Sequence, residues 1–99
     1  MINSKVIILA EVSILPQFLN EVKELAARTL IPTLKEEGCE VFYQTSKTQD
    51  PNALVFFEVF VSQAALDLYM DAGYTKTFFA GINGKLSGEP ITTILSEWN

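Results

Sequence analysis

Two segments of this 99-residue chain carry apolar side chains on both of the faces that a β-strand presents, and they constrain the fold more than any other feature. Residues 6–14 are apolar at every even position, and Ile7 and Leu9 occupy the first odd positions. Residues 54–61 contain valine, leucine and phenylalanine at both even-numbered and odd-numbered positions. Successive side chains of a strand point to opposite faces of its sheet, so both faces of this sheet need an apolar cover.

The surrounding sequence supplies two helical regions and two further strands. Pro16 is typical of the first turn of a helix, and apolar residues recur after it at helical spacing. Pro32 predicts a kink in this helix, and Gly38 predicts its end. Ser62 is a good N-cap for a second helical region, which breaks at Gly73. The expected strands are residues 6–14, 41–46, 54–61 and 91–98.

The resulting βαββαβ order predicts an α+β fold of the ferredoxin-like type, with the helices on one face of an antiparallel sheet. The length suits a single domain over residues 1–99. In the third strand the odd positions are uniformly apolar, so we expect them to face the helices. The uncovered face would then carry Leu54, Phe56, Glu58 and Phe60 together with Leu9 and Glu11. Because such a face would aggregate if exposed, we expect a homodimer whose sheets enclose an apolar space with a few acidic groups.

Composition excludes several classes of function. The chain contains no histidine, which excludes Ser-His-Asp catalysis, imidazole acid–base chemistry and histidine-bound zinc or haem. Its one cysteine, Cys39, excludes an intrachain disulfide and a cysteine-rich metal centre, so no metal site is expected. A net charge of −5 opposes binding to nucleic acids and anionic membranes. The apolar run at residues 6–10 is too short for a membrane span or a signal sequence, and we expect a cytoplasmic protein.

Four short motifs occur in the order and spacing of a known family. They are Glu36-Glu37-Gly38-Cys39 before the second strand, Asp50-Pro51 at the hairpin turn, Glu58-Val59-Phe60 in the third strand and Ala65-Leu66-Asp67-Leu68-Tyr69 in the second helical region. Together they resemble the Glu-x-Gly-Cys, hairpin, Glu-x-Trp and Ala-Leu-x-x-His motifs of the antibiotic biosynthesis monooxygenase family. Phe42 stands at the usual tyrosine position of that family. The resemblance covers nearly the whole chain and implies a dimeric α+β barrel.

The sequence departs from the family pattern at three aromatic positions. Phe60 replaces a tryptophan, Tyr69 replaces a histidine, and Tyr74 stands where many members carry a second histidine. Haem degradation, which related barrels perform with an axial histidine, is therefore disfavoured. Other members use no cofactor and oxidise electron-rich phenolic or quinol-like aromatics with O₂ after a substrate proton is removed in a dry pocket. The resemblance implies a cofactor-independent monooxygenase for a small apolar aromatic or polyketide-like substrate, bound between the helices and the sheet.

Two carboxylates and two phenols are the candidate catalytic groups. Glu58 interrupts an apolar strand, and a carboxylate desolvated there would have a raised pKa and act as a base, with Glu11 on the same face. Tyr69 and Tyr74 would donate a hydrogen bond to a substrate oxygen. The expected substrate-binding residues are Phe56, Phe60, Phe78, Phe79 and Leu9.

Each assignment has a structural alternative. Glu58 instead accepts hydrogen bonds from the backbone or from a side chain of the partner copy and holds the dimer in register. Tyr69 is then a core aromatic with its hydroxyl at the surface, Tyr74 is a loop residue at the mouth of a pocket, and the phenylalanines form an ordinary core. The protein is then a non-catalytic dimeric barrel that binds a small apolar ligand, or whose pocket is filled by its own side chains. A small-molecule isomerase of the same fold is a further alternative.

Overall fold

The computed structural model describes residues 4–99, which form an antiparallel sheet and three α-helices. The elements in chain order are β1 (Val6–Ser13), α1 (Leu19–Leu34), β2 (Cys39–Lys47), β3 (Asp50–Phe60), α2 (Gln63–Asp71), α3 (Gly73–Ile82) and β4 (Ile91–Leu95). The strands lie in the order β2-β3-β1-β4, and each adjacent pair is antiparallel. This topology confirms the predicted α+β, ferredoxin-like fold.

Helix α1 is preceded by one turn of 3-10 helix at Pro16–Phe18 and continues through Pro32. Its buried face includes two threonines. The hydroxyl of Thr29 donates to the carbonyl oxygen of Ala26 (2.7 Å), and that of Thr33 donates to the carbonyl oxygen of Thr29 (2.6 Å). Because each hydroxyl donates to a carbonyl oxygen of the preceding turn of α1, the core tolerates both threonines.

The second helical region consists of two helices, as the glycine at position 73 predicts. Ser62 caps α2, and its hydroxyl accepts a hydrogen bond from the backbone N–H of Ala65 (3.1 Å). Ala72 has an extended backbone, which separates α2 from α3. Gly73 is therefore the first residue of α3.

The β2–β3 hairpin is tighter than expected and contains a bulge. Lys47 pairs with Asp50, whereas the next pair along the strands is Ser46 with Leu54. Within the bulge, the carboxylate of Asp50 accepts a hydrogen bond from the backbone N–H of Asn52 (3.3 Å), a turn that aspartate favours. The bulge shifts the register of β2 against β3, and so decides which side chains of the two strands share a face.

The register of β3 reverses the faces expected from the sequence. Its residues Leu54, Phe56, Glu58 and Phe60 pair with Val12, Ala10, Ile8 and Val6 of β1. Residues directly opposite in a sheet point to the same face, and Val12 belongs to the core beneath the helices. Leu54, Phe56, Glu58 and Phe60 therefore face the helices. The uniformly apolar odd positions do not identify the face of β3 that the helices cover, because its even positions are largely apolar too. The pairing of β3 with β1 determines which face is covered.

The core is a layer of apolar and aromatic side chains between the helices and this sheet face. Its members include Val22 and Ala26 of α1, Tyr69 of α2, Phe78 and Ile82 of α3, Phe42 of β2, and Leu54, Phe56 and Phe60 of β3. The candidate site therefore lies inside this layer, at the side of the sheet that the helices cover.

The opposite side of the sheet, called the open face below, is also apolar. Its apolar residues are Ile7, Leu9, Val41, Tyr43, Val55, Phe57 and Val59, and Glu11 lies on the same face. Leu9 and Tyr43 are exposed there, Tyr43 by 65%. At the sheet edge, all five residues of β4 are exposed, and Trp98, expected in the fourth strand, lies beyond its last residue and is 89% exposed.

Candidate functional site

Glu58 is a carboxylate in the apolar interior. It lies near the end of β3, between Ile8 of β1 and Phe42 of β2, and is 7% exposed. Among residues 4–99, no side chain forms an ion pair with it or donates a hydrogen bond to it. Burial raises the pKa of Glu58 to about 7, because the charged form has lost its hydration. At neutral pH both the ionised and the protonated forms are therefore populated.

Tyr69 of α2 lies beside Glu58 and stays protonated. Its ring packs on Phe60 and Phe42, with ring centroids 5.2 and 5.8 Å apart. Burial, and then the charge of Glu58, raises the pKa of Tyr69 above its usual range. A neutral phenol donates a hydrogen bond, so Tyr69 is able to stabilise an oxyanion that forms close to the carboxylate.

Tyr74 extends the polar cluster from Tyr69 to the turn before β2. The rings of Tyr74 and Tyr69 are 6.4 Å apart, and the Tyr74 hydroxyl donates a hydrogen bond to the carboxylate of Glu36. Burial raises the pKa of Glu36. Burial, followed by the charges of Glu36 and Glu58, also raises the pKa of the Cys39 thiol. Cys39 is therefore a thiol at neutral pH, which makes it a poor nucleophile.

Thr75 is a further polar group in the interior. It has no exposed surface, and its hydroxyl makes no hydrogen bond to any residue from 4 to 99. It lies close enough to Tyr69 to lower the pKa of that phenol slightly, against the larger effect of burial. Buried hydroxyls are nearly always paired, and the side chain of Tyr69 is the polar neighbour with which Thr75 interacts.

The structure brings most of the residues proposed from the sequence into one cluster. Those that lie together are Glu58, Tyr69, Tyr74, Phe56, Phe60 and Phe78. Phe56 and Phe78 contact each other, with centroids 6.0 Å apart, and so join β3 to α3. Phe79 packs on Phe78 at 5.6 Å, but it is 45% exposed and lies at the outer surface of the cluster.

Glu11 and Leu9 lie on the open face, away from this cluster. Glu11 pairs in register with Val55, and its carboxylate forms an ion pair with Lys47 (3.0 Å). The expectation that Glu11 and Glu58 share a face is therefore wrong. It followed from the reversed face assignment of β3, since Val55 and Glu58 are three residues apart and point to opposite faces.

Sequence reasoning missed three members of the cluster. Phe42 lies opposite Glu58 only because the β2–β3 hairpin contains a bulge, and no local pattern indicates that bulge's effect on the register. Glu36 belongs to a recognisable motif, but its bond to Tyr74 spans 38 residues. Thr75 gives no signal in the sequence, because a threonine in a helix is ordinary until its hydroxyl is found unpaired.

Two crevices border the aromatic cluster. The first, the α1–sheet crevice of about 360 Å³, is lined by Lys23, Ala26, Gln44, Thr45, Ser46, Leu54 and Phe56. The second, the α1–α3 crevice of about 250 Å³, is lined by Leu25, Arg28, Thr29, Tyr74, Thr77 and Phe78. Since Phe56 and Phe78 contact each other, both crevices end at the same aromatic pair. Neither is lined by Glu58 or Tyr69, which lie deeper in the core.

Within residues 4–99, no helix is long and apolar enough to cross a membrane. The same residues contain no group of three or more cysteine, aspartate or glutamate side chains placed to hold a metal ion.

Comparison with known proteins gives a consistent result. The family model described as antibiotic biosynthesis monooxygenase matches residues 5–81. The chain is similar in structure to Rv0793 from Mycobacterium tuberculosis, with 24% identity, 97% of each chain covered and a TM-score of 0.90. It is similar to PA3566 from Pseudomonas aeruginosa, with 15% identity, 100% of this chain and 99% of that chain covered and a TM-score of 0.91. A crystal structure of an antibiotic biosynthesis monooxygenase has 20% identity, covers 95% of this chain and 99% of its own, and has a TM-score of 0.90. None of the curated proteins matches the sequence.

Proposed function

Because the chain belongs to the antibiotic biosynthesis monooxygenase family, we propose that it is a cofactor-independent monooxygenase of electron-rich phenolic or quinol-like aromatics. The observation that carries the proposal is the unpaired, buried carboxyl group of Glu58. A base whose pKa lies near the working pH removes protons efficiently, and the pKa of Glu58 is raised to about 7. Tyr69, a neutral phenol beside it, supplies the hydrogen-bond donor that an oxyanion needs.

The proposed reaction converts a ring CH₂ group, the keto form of a phenolic substrate, to a ketone. The Glu58 carboxylate takes one proton from this carbon, and Tyr69 stabilises the resulting enolate oxygen. The enolate gives one electron to O₂, and the two radicals combine to form a C–O bond and a peroxide. When the O–O bond breaks, the carbon loses its second proton, the terminal oxygen leaves as water, and a C=O bond forms. The aromatic rings around Glu58 limit the access of water to these charged intermediates.

We also propose that the chain is a homodimer that buries its open face. Leu9, Phe57 and Tyr43 form one row across three strands of this face, and Leu9 and Tyr43 are exposed in the single chain. A second copy covers such a face with the same residues, as a twofold interface requires. This contact holds the sheet rigid without occupying the side that carries Glu58.

The test is turnover by a Glu58→Gln variant, which keeps the shape of the side chain and removes the base. We expect its kcat with quinols and phenolic aromatics, measured as O₂ consumption with an oxygen electrode, to fall by about 100-fold or more. Glu11→Gln is the matched control, because it removes a carboxylate of the open face and should keep wild-type turnover. Full turnover by a folded Glu58→Gln protein would exclude Glu58 as the base.

The tight packing around Glu58 supports a second candidate function, a non-catalytic barrel that binds a small apolar ligand. Tyr69, Phe60 and Phe42 pack closely beside Glu58, and the two neighbouring crevices stop short of it. In this case an aromatic ligand binds in a crevice and no O₂ is consumed. Saturable binding of the quinol panel without turnover by the wild-type protein distinguishes this function from the first.

A further inference from the structure

The α1–sheet crevice combines an apolar floor with a cation at its mouth. Ala26, Leu54 and Phe56 are buried residues of its wall, whereas Lys23 is exposed. Its volume of about 360 Å³ lies within the range of small-molecule sites. Size and lining therefore suit a ligand with an apolar body and a negatively charged end.

Lys23 differs from the other cations that border cavities. Among residues 4–99, no carboxylate forms an ion pair with Lys23. Arg28, in the α1–α3 crevice, pairs with Glu24 (3.6 Å). Lys35 borders a third cavity, but two glutamates line that cavity with it. Lys23 therefore presents a positive charge that is not neutralised by a neighbouring side chain, next to an apolar surface.

Gln44 provides an oriented acceptor in the same wall. Its amide nitrogen donates to the carbonyl oxygen of Ala26 (2.6 Å) and to the hydroxyl of Thr29 (3.2 Å). These bonds fix the orientation of the amide, because a carbonyl oxygen accepts only from the nitrogen end. The amide oxygen of Gln44 receives no hydrogen bond from residues 4–99, so it is able to accept one from a ligand hydroxyl.

The wall of the crevice continues along β3 towards Glu58, which lies deeper in the core. Leu54, Phe56 and Glu58 follow one another on the same face of β3, and alternate residues of a strand are about 6.6 Å apart. Phe56 also contacts Phe42, the residue opposite Glu58 on β2. A planar ligand that lies on Leu54 and Phe56 therefore points its far edge towards the carboxylate.

We propose that the α1–sheet crevice binds a planar aromatic carboxylic acid. Its carboxylate pairs with the ammonium group of Lys23, its ring lies on Leu54 and Phe56, and a ring hydroxyl donates to the amide oxygen of Gln44. The inference rests on the proposed function, since it names the class of substrate that the Glu58 site would oxidise. It adds that the substrate is an acid, held by its charge at the mouth while the reacting edge lies inside.

The test compares naphthoate with its neutral counterpart naphthamide in NMR titrations of the nitrogen-labelled protein. We expect naphthoate to bind about three- to fivefold more tightly, which is what one partly exposed ion pair supplies. The largest chemical-shift changes should occur at the backbone amides of Ala26, Gln44 and Leu54. Lys23→Gln should reduce naphthoate affinity to that of naphthamide and leave naphthamide unaffected. Lys76→Gln is the control, since it makes the same change of charge at a surface lysine paired with Asp71.

Several results would overturn the inference. They are equal affinities for naphthoate and naphthamide, an equal loss of affinity for both ligands in Lys23→Gln, chemical-shift changes centred on residues outside the crevice, or no chemical-shift changes at millimolar ligand. Tighter binding of decanoate than of naphthoate would overturn the preference for an aromatic ring. All of these readouts measure binding without turnover, and Glu58 does not line the crevice. Binding that persists when O₂ consumption is absent therefore refutes the proposed oxidation alone, and oxidation without Lys23-dependent binding refutes this inference alone.

Discussion

An ionised carboxylate at Glu58 is costly, because no donor or cation replaces the water that it loses on folding. Glu11, on the neighbouring strand, is partly exposed and pairs with Lys47 (3.0 Å). Two glutamates on neighbouring strands of one sheet thus have opposite environments. A glutamine or leucine would serve a purely structural role at position 58 at lower cost, and an unpaired buried acid is typical of functional sites.

Glu58 should make the protein less stable as the pH rises from about 4.5 to about 7. In this window the unfolded chain has already released the proton that the folded chain still holds. A pKa raised from 4.5 to about 7 corresponds to about 3 kcal/mol of unfolding free energy lost above pH 7. We therefore expect Glu58→Gln to raise the free energy of urea unfolding by up to about 3 kcal/mol at pH ~8 and to change it little at pH ~4.

Glu11→Gln is again the control for this stability measurement. It removes a partly exposed ion pair, so its stability should equal that of the wild type or lie about 0.5 kcal/mol below it at pH ~8. An unchanged pH profile in Glu58→Gln would contradict the raised pKa.

At the scale of elements, Gly38 sets how closely α2 packs on the turn before β2. A Cβ atom at position 38 would overlap the Cβ atom of Ala65 in the first turns of α2. The carbonyl oxygen of Gly38 also accepts a hydrogen bond from the backbone N–H of Val61 (2.8 Å), just after β3. These contacts hold α2, and with it Tyr69, at a fixed position above β3.

Gly38→Ala should therefore lower the free energy of unfolding by about 1–3 kcal/mol, as overpacking does. Gly73→Ala is the matched control, because a Cβ atom there meets nothing within 4 Å. Position 73 begins α3, so alanine should be neutral or stabilise the protein by about 0.5 kcal/mol. Chemical denaturation of both variants measures the difference, and equal stabilities would show that the turn moves away from α2 at little cost.

At the scale of the whole molecule, the sheet separates two different apolar surfaces. The covered side contains Glu58, Tyr69 and the two crevices, and the open face contains the exposed row of Leu9, Phe57 and Tyr43. An acidic substitution in the middle of an apolar twofold interface places two unpaired charges there, one from each copy.

We therefore expect the wild-type protein to sediment as a dimer at micromolar concentration and Leu9→Asp to sediment as a monomer. Leu68→Asp makes the same change on the outer surface of α2, where the side chain is 71% exposed, and should remain dimeric. Sedimentation equilibrium distinguishes these outcomes. A monomeric wild-type protein would contradict the proposed homodimer.

The sequence by itself determined the elements, their order and the family, because each depends on local chemistry. Ser62 caps α2 wherever that helix packs, and the glycine at position 73 indicates the break between α2 and α3, which the structure places at Ala72. The alternation of apolar residues likewise shows that a strand needs cover on both faces. These signals indicated the fold, and they placed Glu58, Tyr69 and Tyr74 among the candidate residues.

Only the tertiary structure decided which face of β3 carries the site. A regular hairpin continued from the Lys47–Asp50 pair would set Phe42 opposite Val55, and the bulge sets it opposite Glu58 instead. The pairing of Glu58 with Ile8, the bond from Tyr74 to Glu36 and the unpaired hydroxyl of Thr75 likewise depend on segments far apart in the chain. The pKa of Glu58 also depends on the tertiary structure, since a carboxyl group is desolvated by its neighbours in space and not by its neighbours in sequence.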